Sequence, residues 1–182
     1  MALYFASGVL LVALAYIIVI YNAFIKWRNS VGEAFATMDV YLKKRFDLIP
    51  NLVEVVKGYA RHESSVLESV VSIRSSSYDK MSPDDKIEAN ERLATGISRL
   101  FALVENYPDL KANQSFLDLS AQLSRIEDEI AQSRKYYNAI VKNMNTLVEM
   151  FPSNIIAGIF GFKCSKMFEA RAEEKTNVKV EL

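Results

Sequence analysis

A chain of 182 residues, 51 % of them apolar, has the material for one compact domain and an appendage. Its 22 Lys and Arg balance 22 Asp and Glu, so no overall field gathers nucleic acid or steers a strongly charged substrate. One cysteine, Cys164, excludes an internal disulfide and leaves the redox compartment unreported.

No charge precedes Lys26, and residues 3–21, LYFASGVLLVALAYIIVIY, are almost wholly apolar. As a helix this run spans roughly 28 Å, close to the hydrocarbon thickness of a bilayer. A secretory signal would need a basic start and a small-residue cleavage site, and both are missing. Residues 1–22 are therefore expected to be a retained single-pass anchor that meets the lipid bilayer through residues 3–21. Tyr16, Tyr21 and Trp27 suit an interfacial belt, and Lys26 and Arg28 place the N-terminus outside and the rest of the chain in the cytoplasm.

Residues 23–151 carry four amphipathic patterns. Phe24, Trp27, Val31, Phe35, Met38 and Leu42 recur at the three-four spacing of a helix, expected to end near Phe46. Asp47 can cap and Pro50 is best tolerated in a first turn, so a second helix is expected from about Leu48. Its stripe is Ile49, Leu52, Val53, Val56, Ala60, Leu67, Val70 and Ile73. On this reading residues 43–63 form a corner, with Lys43, Lys44 and Arg45 at a helix C-terminus pairing with Asp47 or Glu54. RSSSYDKMSPDDK reads as a loop, and Ser82, Pro83, Asp84 and Asp85 start a third helix bearing Leu93, Ile97, Leu100, Phe101 and Val104.

The fourth pattern runs without a slip through Phe116, Leu119, Leu123, Ile126, Ile130, Ser133, Tyr137, Ile140, Met144, Leu147 and Phe151. Seven-residue repetition of this length favours near-parallel packing between long helices. The expected fold is all-α: an up-and-down four-helix bundle following an N-terminal transmembrane helix. Residues 152–168 then form an apolar segment closing the membrane-near end of the bundle, and residues 169–182 a polar tail.

Chemistry-bearing constellations are sparse. His62-Glu63 resembles half a zinc-protease motif, but position 66 is Val66 and the second ligand is absent. With one histidine and no glycine-flanked serine, a hydrolase triad lacks its parts. The glycines at 8, 32, 58, 96, 158 and 161 make no phosphate-cradling loop. No catalytic residue, metal ligand, cofactor or small-molecule substrate is expected, and an enzyme built around His62 is the weakest of the functional readings.

Two other groups of residues are better placed. Asn22 and Asn29 are seven apart on the first helix and Asn138 and Asn145 seven apart on the last, where an asparagine near a seam can fix helix register. In an up-and-down bundle the last helix returns towards the bilayer, bringing Ile155, Ile156, Ile159, Phe160 and Phe162 with it. These cap the bundle core, or else meet the membrane or a neighbouring subunit.

YNAFIKWRNSV, LKKRFDLIPNLVEVVKGYARHE, YPDLKANQSF, the YYN of residues 136–138 and FPSNIIAGIFGF occur in that order. Together they resemble the bacterial LemA family over nearly all of the chain after residue 20. The resemblance implies a helical bundle behind an N-terminal membrane segment and carries over no catalytic residues. At 143–146 the NMNT sequence departs from the Tyr-Asn-Thr pattern of the family. The expected function is that of a non-enzymatic, membrane-anchored scaffold or adaptor acting on a protein partner or on copies of itself. The alternative is a lipid-sensing or membrane-remodelling module that uses residues 153–162.

Overall fold

The computed structural model describes residues 1–60 and 78–168, and their regular structure is entirely helical. Helix α1 is Ala2–Tyr59, α2 Pro83–Val104, α3 the short Pro108–Lys111, α4 Gln114–Glu149 and α5 Ser153–Phe160. A 3-10 turn, Tyr78–Lys80, precedes α2. The all-α class expected from the periodicity stands. By packing the chain divides into two compact units, Met1–Gly32 with Tyr137–Leu182, and Glu33–Tyr136.

The helix break expected between Phe46 and Leu48 is not there. Helix α1 runs through 58 residues with Pro50 inside it. A proline in a helix interior removes one backbone hydrogen bond and crowds the preceding turn, but the buried stripe keeps its phase across it. Leu42, Phe46, Ile49, Leu52, Val53 and Val56 are all core residues, and Leu42 to Ile49 is one heptad. Breaking the helix would rotate one half of that stripe out of the core, so packing decides against the break. Asp47 consequently sits exposed in mid-helix rather than at a cap, 3.9 Å from Lys43. The expected stripe residues Leu67, Val70 and Ile73 lie outside the described residues, as do His62 and Glu63.

In the unit Glu33–Tyr136, Arg45 is no helix-closing surface cation: it is 2 % exposed. Its Nη1 donates to both carboxylate oxygens of Glu127, at 2.8 and 3.1 Å. Its Nη2 donates to the backbone oxygen of Asn90 at 2.9 Å and to that residue's Oδ1 at 2.7 Å. Asn90 Nδ2 donates to the Lys86 carbonyl, and Lys86 Nζ to Asp39 Oδ2. The Tyr78 hydroxyl donates to Asp39 Oδ1 at 2.6 Å. One polar chain thus ties α1, α2, α4 and the turn before α2, with Arg45 and Lys86 each matched by a carboxylate. Burial, reinforced by the hydrogen bond to Asp39, raises the Tyr78 phenol well above its ordinary pKa.

The helix starts follow the expected chemistry. Ser82 caps α2, its Oγ accepting from the Asp85 backbone N–H at 3.2 Å, with Pro83 following it. Asn113 caps α4 by accepting the Phe116 N–H at 3.1 Å, and its Nδ2 donates to the Tyr59 hydroxyl. Along α4, Phe116, Leu123, Ile130, Tyr137 and Met144 are buried at seven-residue intervals. The interleaved Leu119, Ile126, Ser133, Ile140 and Leu147 are half-buried, the two rows of a bundle seam.

Removing one partner of a buried ion pair leaves an uncompensated charge and costs about 3–5 kcal/mol. Glu127→Ala, which leaves the buried Arg45 guanidinium without its carboxylate, is therefore expected to lower unfolding stability by that order in urea titrations of the detergent-solubilised chain. The paired change Arg45→Met with Glu127→Met should recover much of the loss. A single-variant loss below about 1 kcal/mol, the range of an exposed pair, would mean that the network contributes little.

Candidate functional site

The first nineteen residues are all exposed, including Leu3, Phe5, Leu11, Val12, Ile18 and Val19. Helix α1 is long and apolar enough there to cross a membrane, and eighteen bare helical residues measure about 27 Å, matching a hydrocarbon core. Protein cover begins at Ile20. Phe24, Met144, Ile156 and Ala157 form a buried cluster against which Ile20, Trp27, Val31, Leu147, Val148 and Phe162 pack. Trp27 thus packs in this cluster.

Helix α5 is held by both of its ends. After Pro152, the Ser153 hydroxyl lies 2.7 Å from the carbonyls of Leu147 and Met150 and covers the open end of α4. At the other end Gly161 takes φ +73, a left-handed cap that glycine adopts without a Cβ penalty. The Phe162 N–H then closes on the Ala157 carbonyl at 2.9 Å. This turn puts the Phe162 ring 4.5 Å from Phe24 in a stacked pair and 5.8 Å from Tyr21. Phe160 meets Tyr21 edge-on at 4.9 Å, and the Arg28 guanidinium lies 6.0 Å from the Phe162 ring.

Beyond Phe162 the chain returns along α4 without helical structure, gripped by two carboxamides. Asn145 accepts the Ser165 N–H at 2.8 Å and donates to the Ser165 carbonyl at 3.0 Å. Asn138 does the same for Phe168, at 3.0 and 2.9 Å. Seven helical residues rise about 10.5 Å and three extended residues cover about 10 Å, so the two spacings match. The Tyr137 hydroxyl adds a bond to the Lys166 carbonyl at 3.0 Å, and its ring meets Phe168 edge-on. The register that Asn138 and Asn145 set is thus that of the returning chain on α4. Asn22 and Asn29 are exposed on α1.

The expected contact residues divide between two faces. Ile156 is 4 % exposed and Phe162 half-buried, both in the cluster. Ile155, Ile159 and Phe160 are exposed, Ile159 at 71 %, and so are Met150 and Phe151. Phe151 continues the heptad of Met144 but falls just past the end of α4. Charge is also one-sided: no carboxylate precedes Glu33, and among the described residues of this unit Lys26, Arg28, Lys142, Lys163 and Lys166 stand against Glu149. Cys164 is exposed, with its Sγ 3.5 Å from the Glu149 carboxylate. No group of three or more His, Cys, Asp or Glu able to hold a metal occurs among the described residues. What the arrangement offers is a surface, apolar and cationic together, beside the bare helix.

Residues 34–182 match the sequence profile of the LemA family. Protein LemA of Metamycoplasma hominis is 26 % identical over 161 residues, covering 86 % of this chain and 72 % of that protein. Magnetosome protein MamQ 2 of Paramagnetospirillum magneticum is 24 % identical over 184 residues, covering 87 % of this chain and 68 % of that protein. MamQ of Magnetospirillum gryphiswaldense is 23 % identical over the same span.

Each clamp carboxamide makes two hydrogen bonds of a kind worth about 1 kcal/mol apiece. Asn138→Ala and Asn145→Ala are therefore expected to speed amide exchange at Phe168 and Ser165 respectively by about ten- to a hundred-fold. Mass-spectrometric hydrogen exchange on the detergent-solubilised chain reads this directly. Unchanged protection in both variants would mean that the carboxamides do not hold the segment.

Proposed function

We propose, for a chain that belongs to the LemA family, a membrane-anchored, non-enzymatic scaffold that works by association with a protein partner or with further copies of itself. Residues 1–22 are the anchor, residues 23–151 the helical body, residues 152–168 the segment that closes the membrane-near end, and residues 169–182 a tail. The observation that carries this reading is the exposed apolar stretch of α1: residues 1–19 are all exposed, and water is a poor solvent for so much contiguous apolar surface. Lipid is the fitting one. The body offers an adaptor's resources, helices with Arg45 and Lys86 each paired to a carboxylate and a charged exterior. With Lys26 and Arg28 next to the span, the positive-inside bias favours a cytoplasmic body with the N-terminus outside.

Exposed Ile155 and Ile159 beside the span favour a second reading, in which residues 153–162 meet lipid. It coexists with the scaffold reading, because the surfaces differ.

Full-length protein is expected to stay with membranes through carbonate extraction, and Leu10→Arg combined with Leu14→Arg to release it. Release of the unaltered chain would end the anchored reading. Photo-cross-linkers placed at exposed positions in Glu33–Tyr136 are expected to give discrete adducts in membranes, to a partner or to a second copy. Absence of any adduct across that surface would end the scaffold reading while leaving the anchor intact. For orientation, an impermeant maleimide is expected to leave Cys164 unlabelled in intact cells and to label it once the membrane is opened. Equal labelling in intact cells would reverse the orientation.

A further inference from the structure

We propose that the corner at Phe151 and the outer face of α5 form a foot that dips into the bilayer interface, with Lys26, Arg28 and Lys163 gripping the phosphates of anionic glycerophospholipids. The inference rests on the anchored reading and adds to it a lipid class and the residues that select it.

Four observations converge. First, α5 is apolar on two sides: Ile156 and Ala157 fill the cluster, while Ile155 and Ile159, four residues apart, share an outer face with 54 % and 71 % exposure. Phe151, 76 % exposed, adds an aromatic ring at the preceding corner. Second, the foot is level with the end of the span. Phe160 touches Tyr21 at 4.9 Å, and the cluster that seats α5 begins at Ile20, one residue after the bare stretch ends. Third, α5 has eight residues, about 12 Å of helix, too short to span and suited to lying in the interface. Fourth, the surrounding charge is cationic. Lys26 and Arg28 follow the span, Arg28 lies 6.0 Å from the Phe162 ring, and exposed Lys163 comes next in the chain, with Glu149 the one carboxylate among the described residues of this unit.

The same charge argues against a second copy as occupant. A symmetric contact through this surface would bring cations against cations, whereas headgroup phosphates complement them. Gly161 and the asparagine clamp keep the foot in place. The turn cannot unwind into a longer helix without giving up the backbone bonds at Ser165 and Phe168.

The test uses the full chain with Cys164→Ser and Ile159→Cys, labelled at the new thiol with an environment-sensitive fluorophore. Ile159 points away from the core, so the label leaves the cluster undisturbed. The protein is reconstituted into phosphatidylcholine vesicles with or without phosphatidylglycerol. Lipid-borne nitroxide is expected to quench the label and aqueous iodide to leave it bright, with the stronger lipid quenching in the anionic vesicles. Lys26→Gln with Lys163→Gln should reduce the inserted-to-lifted ratio in anionic vesicles by about five-fold for each cation removed. In phosphatidylcholine alone this change should have no effect. Iodide quenching without nitroxide quenching overturns the foot, and label-to-label energy transfer that grows with protein density assigns the surface to a second copy instead. Equal insertion in both vesicle types overturns the headgroup selectivity. A chain that floats with the vesicles but shows iodide quenching has lost only this inference. One that fails to co-float has lost the anchored reading beneath it.

Discussion

Two carboxamides, seven residues apart on α4, hold the backbone N–H and carbonyl of two residues, Ser165 and Phe168, that lie three apart on the returning chain. That coincidence of rise is the constraint on which the membrane-near unit depends. A primary carboxamide carries an acceptor oxygen beside an NH2 donor, so Asn138 and Asn145 each take the N–H and the carbonyl of one residue, Phe168 and Ser165, much as a residue of a neighbouring strand would. With the chain fixed there, the Gly161 turn is fixed, α5 is fixed, and Phe162 is delivered onto Phe24. Aspartate in either position would keep the acceptor and lose the donor, and a shift of one residue would turn the carboxamide away from the segment.

The same construction explains why α5 has two unlike faces. Ile156 and Ala157 are consumed by the cluster that covers α1 from Ile20 onward. Ile155, Ile159 and Phe151 are left exposed. In a soluble protein such a patch beside a bare helix would promote aggregation. A bilayer surface would accommodate it together with residues 2–19. The unit Glu33–Tyr136 follows a different logic. Its interior admits charge, but in matched pairs, Arg45 with Glu127 and Lys86 with Asp39, supported by Asn90, whose Oδ1 accepts from Arg45, and by Tyr78, whose hydroxyl donates to Asp39. Pairing of this kind penalises alternative packings that would leave one member alone.

Much of this was legible in the sequence because it rests on period and local chemistry. The heptads of α4, the Ser82-Pro83 start of α2 and the apolar N-terminal run are all short-range signals. The corner expected near Phe46 fails because Pro50 reads locally as a breaker, while the decisive signal is phase: Leu42 and Ile49 are one heptad apart, so the stripe never resets. Arg45 was unreadable for the opposite reason, since its partners are 45 and 82 residues distant and nothing beside it in the chain marks it as buried. Asn138 and Asn145 stood out by spacing, but their partners did not. A helix-to-helix seam and a helix-to-strand clamp leave the same seven-residue signature, and only the three-residue interval between Ser165 and Phe168 separates them. The clustering of cations beside the span was visible as the absence of any carboxylate before Glu33. Its meaning depended on Phe162, and Lys163 after it, returning to the Arg28 end of the span.

The central claim is that protein cover on α1 begins where lipid ends. Nitroxide labels placed singly from residue 2 to residue 34 of the full chain in phospholipid vesicles, compared for relaxation by oxygen and by a water-soluble nickel chelate, test it most directly. The account predicts oxygen access with chelate exclusion through residue 19. A change should follow over the next turn, to positions protected from both reagents on the packed face and open to the chelate on the other. Chelate access within residues 2–19, or lipid-like behaviour continuing past Trp27 on every face of the helix, would contradict it.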